Sequence, residues 1–170
     1  MQDQLYTTKF GSLDSYQKGS IEIIADDPKN YAFSNVYEVA SNSAPYEKVV
    51  VGLNREYVLE AIRAEGTSEW RTAAHDEFAL VMDGTIEMRF VKLDDPRAHT
   101  AQDDEGSVAI AGEPAGARMG HVIAGKGHMV LLPADCAHQF HADAPGVVLL
   151  QSIKGPGSIE RWEDICLTTV

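Results

Sequence analysis

The sequence has no apolar run approaching the ~20 residues needed to span a bilayer. Its first twenty residues, MQDQLYTTKFGSLDSYQKGS, lack the basic n-region and apolar h-region of a secretory signal. Basic residues are few: 14 Lys and Arg stand against 26 Asp and Glu, a net charge of −12. Phosphate backbones and anionic membrane surfaces are held by clusters of Lys and Arg, and no such cluster is present. That argues against nucleic acid and against a membrane as partners. Cysteine is scarce as well. Cys136 and Cys166 form no CxxC pair, and without an export signal free thiols are expected. The glycines of AGEPAGARMGHVIAGKG match neither a P-loop nor a GxGxxG pattern and read as turn glycines. These absences leave an acidic, soluble, cytoplasmic chain of 170 residues. Such a chain can bury ~70% of its unfolded surface without disulfide staples.

What is present is mostly short and strand-like. Ile21–Ile24, Asn35–Ala40 and Lys48–Leu53 are apolar runs bounded by Asn, Ser, Pro or Gly, as strands usually are. Glu56–Glu65 carries both helical and alternating features, and its neighbours favour a strand. Phe78–Met82 and Thr85–Val91 flank Asp83-Gly84, a preferred type I′ pair, which predicts a hairpin. After the turn Ile86, Met88 and Phe90 alternate with Glu87 and Arg89, one buried face and one wet face. Residues 93–119 form a long polar insertion with a short strand expected at Ser107–Ile110. Strands resume at His121–Ile123, His128–Leu132 and Val147–Ile153. The tail SIERWEDICLTTV suits a short helix with Trp162 and Ile165 inward. Many short strands with Gly and Pro turns indicate an all-β sandwich or barrel.

Two segments carry the pattern further, and through them the chain resembles the cupin superfamily of jelly-roll barrels. The resemblance implies a cupin-like all-β barrel over 46–170 with an N-terminal extension over 1–45 and a short C-terminal helix. The first cupin motif reads G-x5-HxH-x3,4-E-x6-G. Glu77 and Gly84 match it with the six-residue spacing intact, and Gly66 stands near its leading glycine. Its histidine positions fall on Arg71 and Ala73, or on Trp70 and Thr72 with the longer spacing. The second motif reads G-x5-PxG-xx-H-xxx-N. Gly127, Pro133 and His138 match it, while Asp135 and Ala142 replace its second glycine and its asparagine.

Two of the four ligand positions are therefore lost. Neither alanine nor arginine can replace a neutral imidazole, and Arg71 adds a positive charge. No metal is expected in this chain. Glu77 is then expected to pair with Arg71 or Arg89, and His138 to be a satisfied barrel histidine. The competing set is His75, Glu77 and His138, a two-histidine, one-carboxylate pattern suited to Fe(II), since residues two apart on a strand share a face. Against it, His75 suits the exposed or backbone-bonded start of a strand. His141 is expected to face away from His138, and His99 to be solvated. Cys136 precedes His138 by two residues, but no orienting Asn or Asp accompanies a nucleophile there.

A closer resemblance covers most of the chain. TKFGSLDSYQKGSIEII, DDPKNYAFSNVYEVAS, PYEKVVVGLNREYVLEAIRAEG, EWRTAAHDEFALVMDG and LLQSIKGPGSIERWEDIC together resemble the small subunit of hydroquinone 1,2-dioxygenase. The resemblance implies a heterotetramer in which a larger cupin-like subunit carries Fe(II). It implies the opening of hydroquinone, a small phenol, by O₂ to 4-hydroxymuconic semialdehyde in 4-nitrophenol breakdown. The isolated small subunit would be inactive, with no catalytic residue assigned in this chain. Trp70 and Arg71, side by side at the barrel mouth, and the 93–119 insertion are then candidates for contact with the large subunit and its pocket. Trp70 equally suits an aromatic cap in the chain's own core. A self-sufficient metalloenzyme and a non-enzymatic cupin holding an aromatic ligand remain as alternatives.

Overall fold

The structure, a computed structural model, describes residues 11–17, 24–26, 34–101 and 105–162. A short helix α1, Val36–Ser41, precedes the strands β1 (Lys48–Asn54), β2 (Tyr57–Thr67), β3 (Trp70–Ala73), β4 (Glu77–Asp83) and β5 (Thr85–Leu93). After them come β6 (Ser107–Ile110), β7 (Gly116–Gly125), β8 (Met129–Leu132), β9 (Cys136–Ile153) and β10 (Ser158–Ile159). Of the expected strand at Ile21–Ile24, residues 21–23 lie outside the described residues, as does Ile165 of the expected C-terminal helix. No helix among the described residues is long and apolar enough to cross a membrane.

The 18-residue β9 organises the fold. Its second half runs between β2 and β4, extended by β1 and parallel β10 on one side and by β8 on the other. Its first half runs between β5 and β3, extended by β7 and β6. Two sheets joined by one bent strand make the cupin-like jelly roll. Alternation then fixes the core: Ile62, Val81, Ile86, Met88, Phe90, Phe140, Val148 and Leu150 point between the sheets and are buried. The sequence expectation reached only Val147–Ile153. Asp143-Ala144-Pro145-Gly146 looks like a break, but it is where β9 bends from one sheet to the other and where Pro145 is tolerated.

Three further differences have local causes. Asn35–Ala40 is not a strand. The Asn35 side chain accepts the Tyr37 N–H at 3.0 Å and caps α1, whose Val39 packs on Val49 and Ala61. Six residues are too few for either period to declare itself. Asp83-Gly84 is not a hairpin either, because β4 and β5 pair with opposite halves of β9 and not with each other. Only Gly84 is left-handed (φ 78°), and its backbone lies so close to Gly146 that an added Cβ would sit 3.0 Å from the Gly146 Cα. The chain turns a corner between sheets there. Finally, β7 begins at Gly116, so the end of the expected insertion is strand. The strands expected at Glu56–Glu65, Lys48–Leu53 and Ser107–Ile110 are present.

Described parts of the N-terminal 45 residues pack on the barrel. The Leu13 N–H donates to Asp83 Oδ2 at 2.7 Å, and the Tyr37 hydroxyl donates to the Met82 carbonyl at 3.3 Å.

Candidate functional site

The residues of the two motifs converge at one end of the barrel interior. Glu77 opens β4 with its side chain inward and is fully buried. Its Oε1 accepts the Ser152 hydroxyl at 2.6 Å. Its Oε2 has no hydrogen-bond partner among the described residues and lies 4.0 Å from His138 Nε2. His138 is held on β9 between Phe90 of β5 and Arg71 of β3. Burial pushes its pKa down to about 4; Glu77 opposes that shift, while Lys48 and Arg71 reinforce it. The imidazole is therefore neutral at ordinary pH.

The expected partners of Glu77 are not the observed ones. Arg89 pairs with Glu87 at 2.7 Å on the outer face of β5. Arg71 pairs with Glu69 and donates twice to Ser107, from Nε to Oγ (3.0 Å) and from Nη2 to the carbonyl (2.6 Å). The hydroxyl of Ser152, on the adjacent strand β9, takes that place instead. His75 lies in the bend before β4, and its ring reaches the same Ser152 hydroxyl that Glu77 accepts from. Its Nε2 accepts the Ile153 N–H at 3.3 Å and sits 3.2 Å from Ser152 Oγ. His141 faces outward beside Thr67 and Asp143, and His99 is exposed.

Lys48 completes the interior. Its ammonium lies 3.1 Å from Glu60 Oε2 and donates to Ser107 Oγ at 3.1 Å. The other oxygen of the fully buried Glu60 accepts the Ser158 hydroxyl. The cavity at this mouth is only ≈ 30 Å³, lined by Tyr46, Lys48, Arg71, Ser107, His138 and Phe140 among others. That is about the room of one water. Among the described residues no group of three His, Cys, Asp or Glu side chains could hold an ion. A lone Glu77–His138 pair beside two cations does not fit a mononuclear divalent metal. Cys136 is no nucleophile in waiting, because burial raises its thiol pKa and Asp135 adds to the rise.

Trp70 and Arg71 lie on opposite faces of β3. Arg71 points inward with its cross-strand neighbour His138. Trp70 points outward and packs with Val91, Leu93, Ile110 and Ala137. It is nearly buried, and its indole N–H has no acceptor among the described residues. It also floors an outer cleft of ≈ 620 Å³ whose walls are Arg89 and Gln139 on one side and Glu113, Arg118 and His121 on the other. The end of the 93–119 insertion thus meets Trp70 at this cleft. Lys48, Glu60, Ser107 and Ser152 were missed from sequence. Strand parity carried a signal for Glu60, a charge on the same inward face as Val58 and Ile62.

A jelly roll with a partial motif at its mouth is a cupin-like barrel with an incomplete ligand set. Among solved structures, the chain is 52% identical to one of hydroquinone 1,2-dioxygenase PnpCD in complex with Cd²⁺ and 4-hydroxybenzonitrile. That match covers 98% of this chain and 100% of the other, with a TM-score of 0.90. It is also 52% identical to the hydroquinone 1,2-dioxygenase from Sphingomonas sp. TTNP3 with 4-hydroxybenzoate bound, covering 97% and 99% at a TM-score of 0.92. The chain belongs to the hydroquinone 1,2-dioxygenase family, ring-cleaving dioxygenases. A second match within PnpCD, in complex with Fe³⁺, is 11% identical and covers 92% of this chain but 43% of the other, at a TM-score of 0.58; it shares the fold. No family model and no curated protein matches the chain.

Proposed function

We propose that this chain is the small, metal-free subunit of a cytoplasmic hydroquinone 1,2-dioxygenase. In this reading a larger cupin-like subunit carries the Fe(II), and the two assemble as a heterotetramer. The assembly would open hydroquinone with O₂ to 4-hydroxymuconic semialdehyde, as a step of 4-nitrophenol breakdown. One observation carries the reading. This chain matches the whole of one PnpCD chain at 52% identity, and also less than half of a longer PnpCD chain with the same fold. An enzyme of two unequal cupin-like chains, with this one corresponding to the shorter, is the simplest account. The interior of this barrel supports it, since among the described residues Glu77 and His138 form no group of three His, Cys, Asp or Glu side chains that could hold an ion.

Fe(II) in the larger subunit would supply the oxygen chemistry. This chain's part is to bind and shape. Trp70, Arg118 and the insertion form an open cleft on the outer face. In our reading that cleft faces the large subunit, and Trp70 helps to close its substrate pocket. Arg71, turned inward, supports the cleft from behind. A second outer surface also suits an assembled protein. Leu59, Phe78 and Leu131 lie in one cross-strand row with exposed side chains, and Tyr57 and Met129 extend it.

The test is iron content and oxygen uptake. The chain purified alone under anaerobic, iron-replete conditions is expected to hold negligible iron and to consume no O₂ with hydroquinone. Co-expression with the larger chain is expected to restore both. Near-stoichiometric iron and turnover in the isolated chain would instead establish a self-sufficient enzyme using His75, Glu77 and His138. Binding of an aromatic ligand with no oxygen uptake, even beside the larger chain, would favour a carrier or sensor.

A further inference from the structure

Four strands have a single paired neighbour among the described residues: β6, β7, β8 and β10. Three of these edges are short, with four, four and two residues. β7 has ten, and it pairs only with β5. A long free edge presents a row of unmade backbone hydrogen bonds, and proteins blunt such edges with Lys, Pro, bulges or brevity. β7, GARMGHVIAG, uses little of this. It has no Lys, Pro, Asp or Glu, and Arg118 is its one fixed charge. A register shift opposite Phe90 and Val91 disturbs its first half, but from Gly120 to Gly125 the ladder with β5 is regular.

The edge is apolar as well as free. Ile123 is 65% exposed, Met119 52% and Val122 41%. Ile123 lies on the outer face, opposite Glu87 of β5. Val122 lies on the inner face, yet its cross-strand neighbour Met88 is fully buried. Over 116–123 β7 therefore runs outside the core, with apolar side chains bare on both faces. A further strand meets all of these needs at once. It gives backbone partners to the edge and side chains to either face.

We propose that β7 is a docking edge, and that an extended strand of the larger cupin-like chain adds to it alongside Gly120–Ile123. The sheet of one barrel then continues into the next. Two observations choose this occupant. β7 walls the Trp70 cleft through Arg118 and His121, so an added strand closes that cleft along one side. The part of the longer PnpCD chain that matches here has the same fold, and so brings strand edges of its own. A second copy of this chain has the same edge, but it carries the same net charge of −12, which opposes its approach.

The inference rests on the subunit reading, and the test separates the two. Hydrogen exchange of peptides across 115–125 is read by mass spectrometry in the isolated chain and in its complex with the larger chain. In the isolated chain the amides of 120–123 that face away from β5 are expected to exchange fast. In the complex they are expected to slow about tenfold or more. A complex that forms with these amides still fast would overturn the docking edge and leave the subunit reading standing. No complex at all would overturn both. Slow exchange in an isolated monomer would mean that the chain covers its own edge, and in an isolated dimer that a second copy does. Either result would overturn the proposal. Substitution gives a second reading. Adjacent strand residues direct their N–H groups to opposite sides, so one of His121→Pro and Val122→Pro breaks a bond to β5 and the other removes a donor from the free edge. The first is recognised by its lower thermal midpoint. The second is expected to stay within about 3 °C of wild type and to bind the larger chain about tenfold more weakly. Wild-type affinity in that variant would overturn the proposal.

Discussion

Trp70 and Arg71 are neighbours on β3, and they end in opposite settings. The Arg71 side of the sheet is closed: its cavity is ≈ 30 Å³, its buried Glu60 pairs with Lys48, and its histidine is buried and neutral. The Trp70 side is open, a cleft of ≈ 620 Å³ roofed by an insertion and by β7, whose residues from Gly116 to Ile123 are all exposed. In this chain the inside is the region least able to admit a reactant, and the outer face has the room. The contrast is what a supporting subunit needs, with a settled interior to hold the fold and an outward face to present to something else.

The largest effect is expected on the open side. Trp70→Ala removes the ring that holds Val91, Leu93, Ile110 and Ala137 together and is expected to cost about 3–5 kcal/mol in urea denaturation. It should also weaken co-purification of the larger chain. Trp70→Phe keeps an aromatic ring in that cluster and separates packing from function. Its unfolding free energy is expected to stay within about 1 kcal/mol of wild type, while turnover of the assembled enzyme falls about tenfold. Full turnover in Trp70→Phe, together with normal assembly in Trp70→Ala, would reduce Trp70 to a packing residue and dissolve the contrast.

On the closed side the sharper probe is pH. His138 has a folded pKa of about 4 against an ordinary 6.5, so the unfolded chain binds its proton first as pH falls. The stability tied to neutral His138 is fully present above pH 6.5 and is lost between 6.5 and 4. The drop is about 3 kcal/mol by linkage. His138→Gln is expected to flatten that part of the pH profile. A wild-type profile already flat between 6.5 and 4 would mean that water reaches the interior and that the mouth is not closed.

The corner between the sheets is expected to respond less. Gly84→Ala must hold a left-handed residue while its Cβ presses on the backbone of Gly146, at an expected cost of about 2 kcal/mol. That corner also explains how the sequence could mislead. Glu77, Gly84, Gly127, Pro133 and His138 were legible because a motif records spacing, and spacing survives from sequence to fold. Asp83-Gly84 was legible as a turn but not as a change of sheet, because turn chemistry is local and strand pairing is not. The bend of β9 was hidden for the same reason. Trp70 and Arg71 could have been parted by parity alone, since adjacent strand residues face opposite ways. The Lys48–Glu60–Ser107 grouping had no such signal, for its members meet only after three strands have found their places.

The smallest effect tests whether the scaffold still carries the needs of the motif now that its ligands are gone. Asp135 stands where the second cupin motif has glycine, and its backbone is left-handed (φ 60°). Its N–H donates to the Ala73 carbonyl at 3.0 Å, tying the turn before β9 to the end of β3, so the conformation cannot relax without releasing that strand. Its Oδ1 is buried without a hydrogen-bond partner among the described residues. Asp135→Gly removes both the Cβ strain and the unpaired oxygen, and these gains are offset in part by the greater freedom of glycine in the unfolded chain. The expected net gain is about 0.5 kcal/mol, a rise of about 1–2 °C in Tm. Asp135→Val, which keeps the strain and adds a branch, is expected to lose about 2 kcal/mol or more. A loss in Asp135→Gly would mean that the carboxylate contributes more here than the backbone conformation costs. The turn would then have been rebuilt around aspartate.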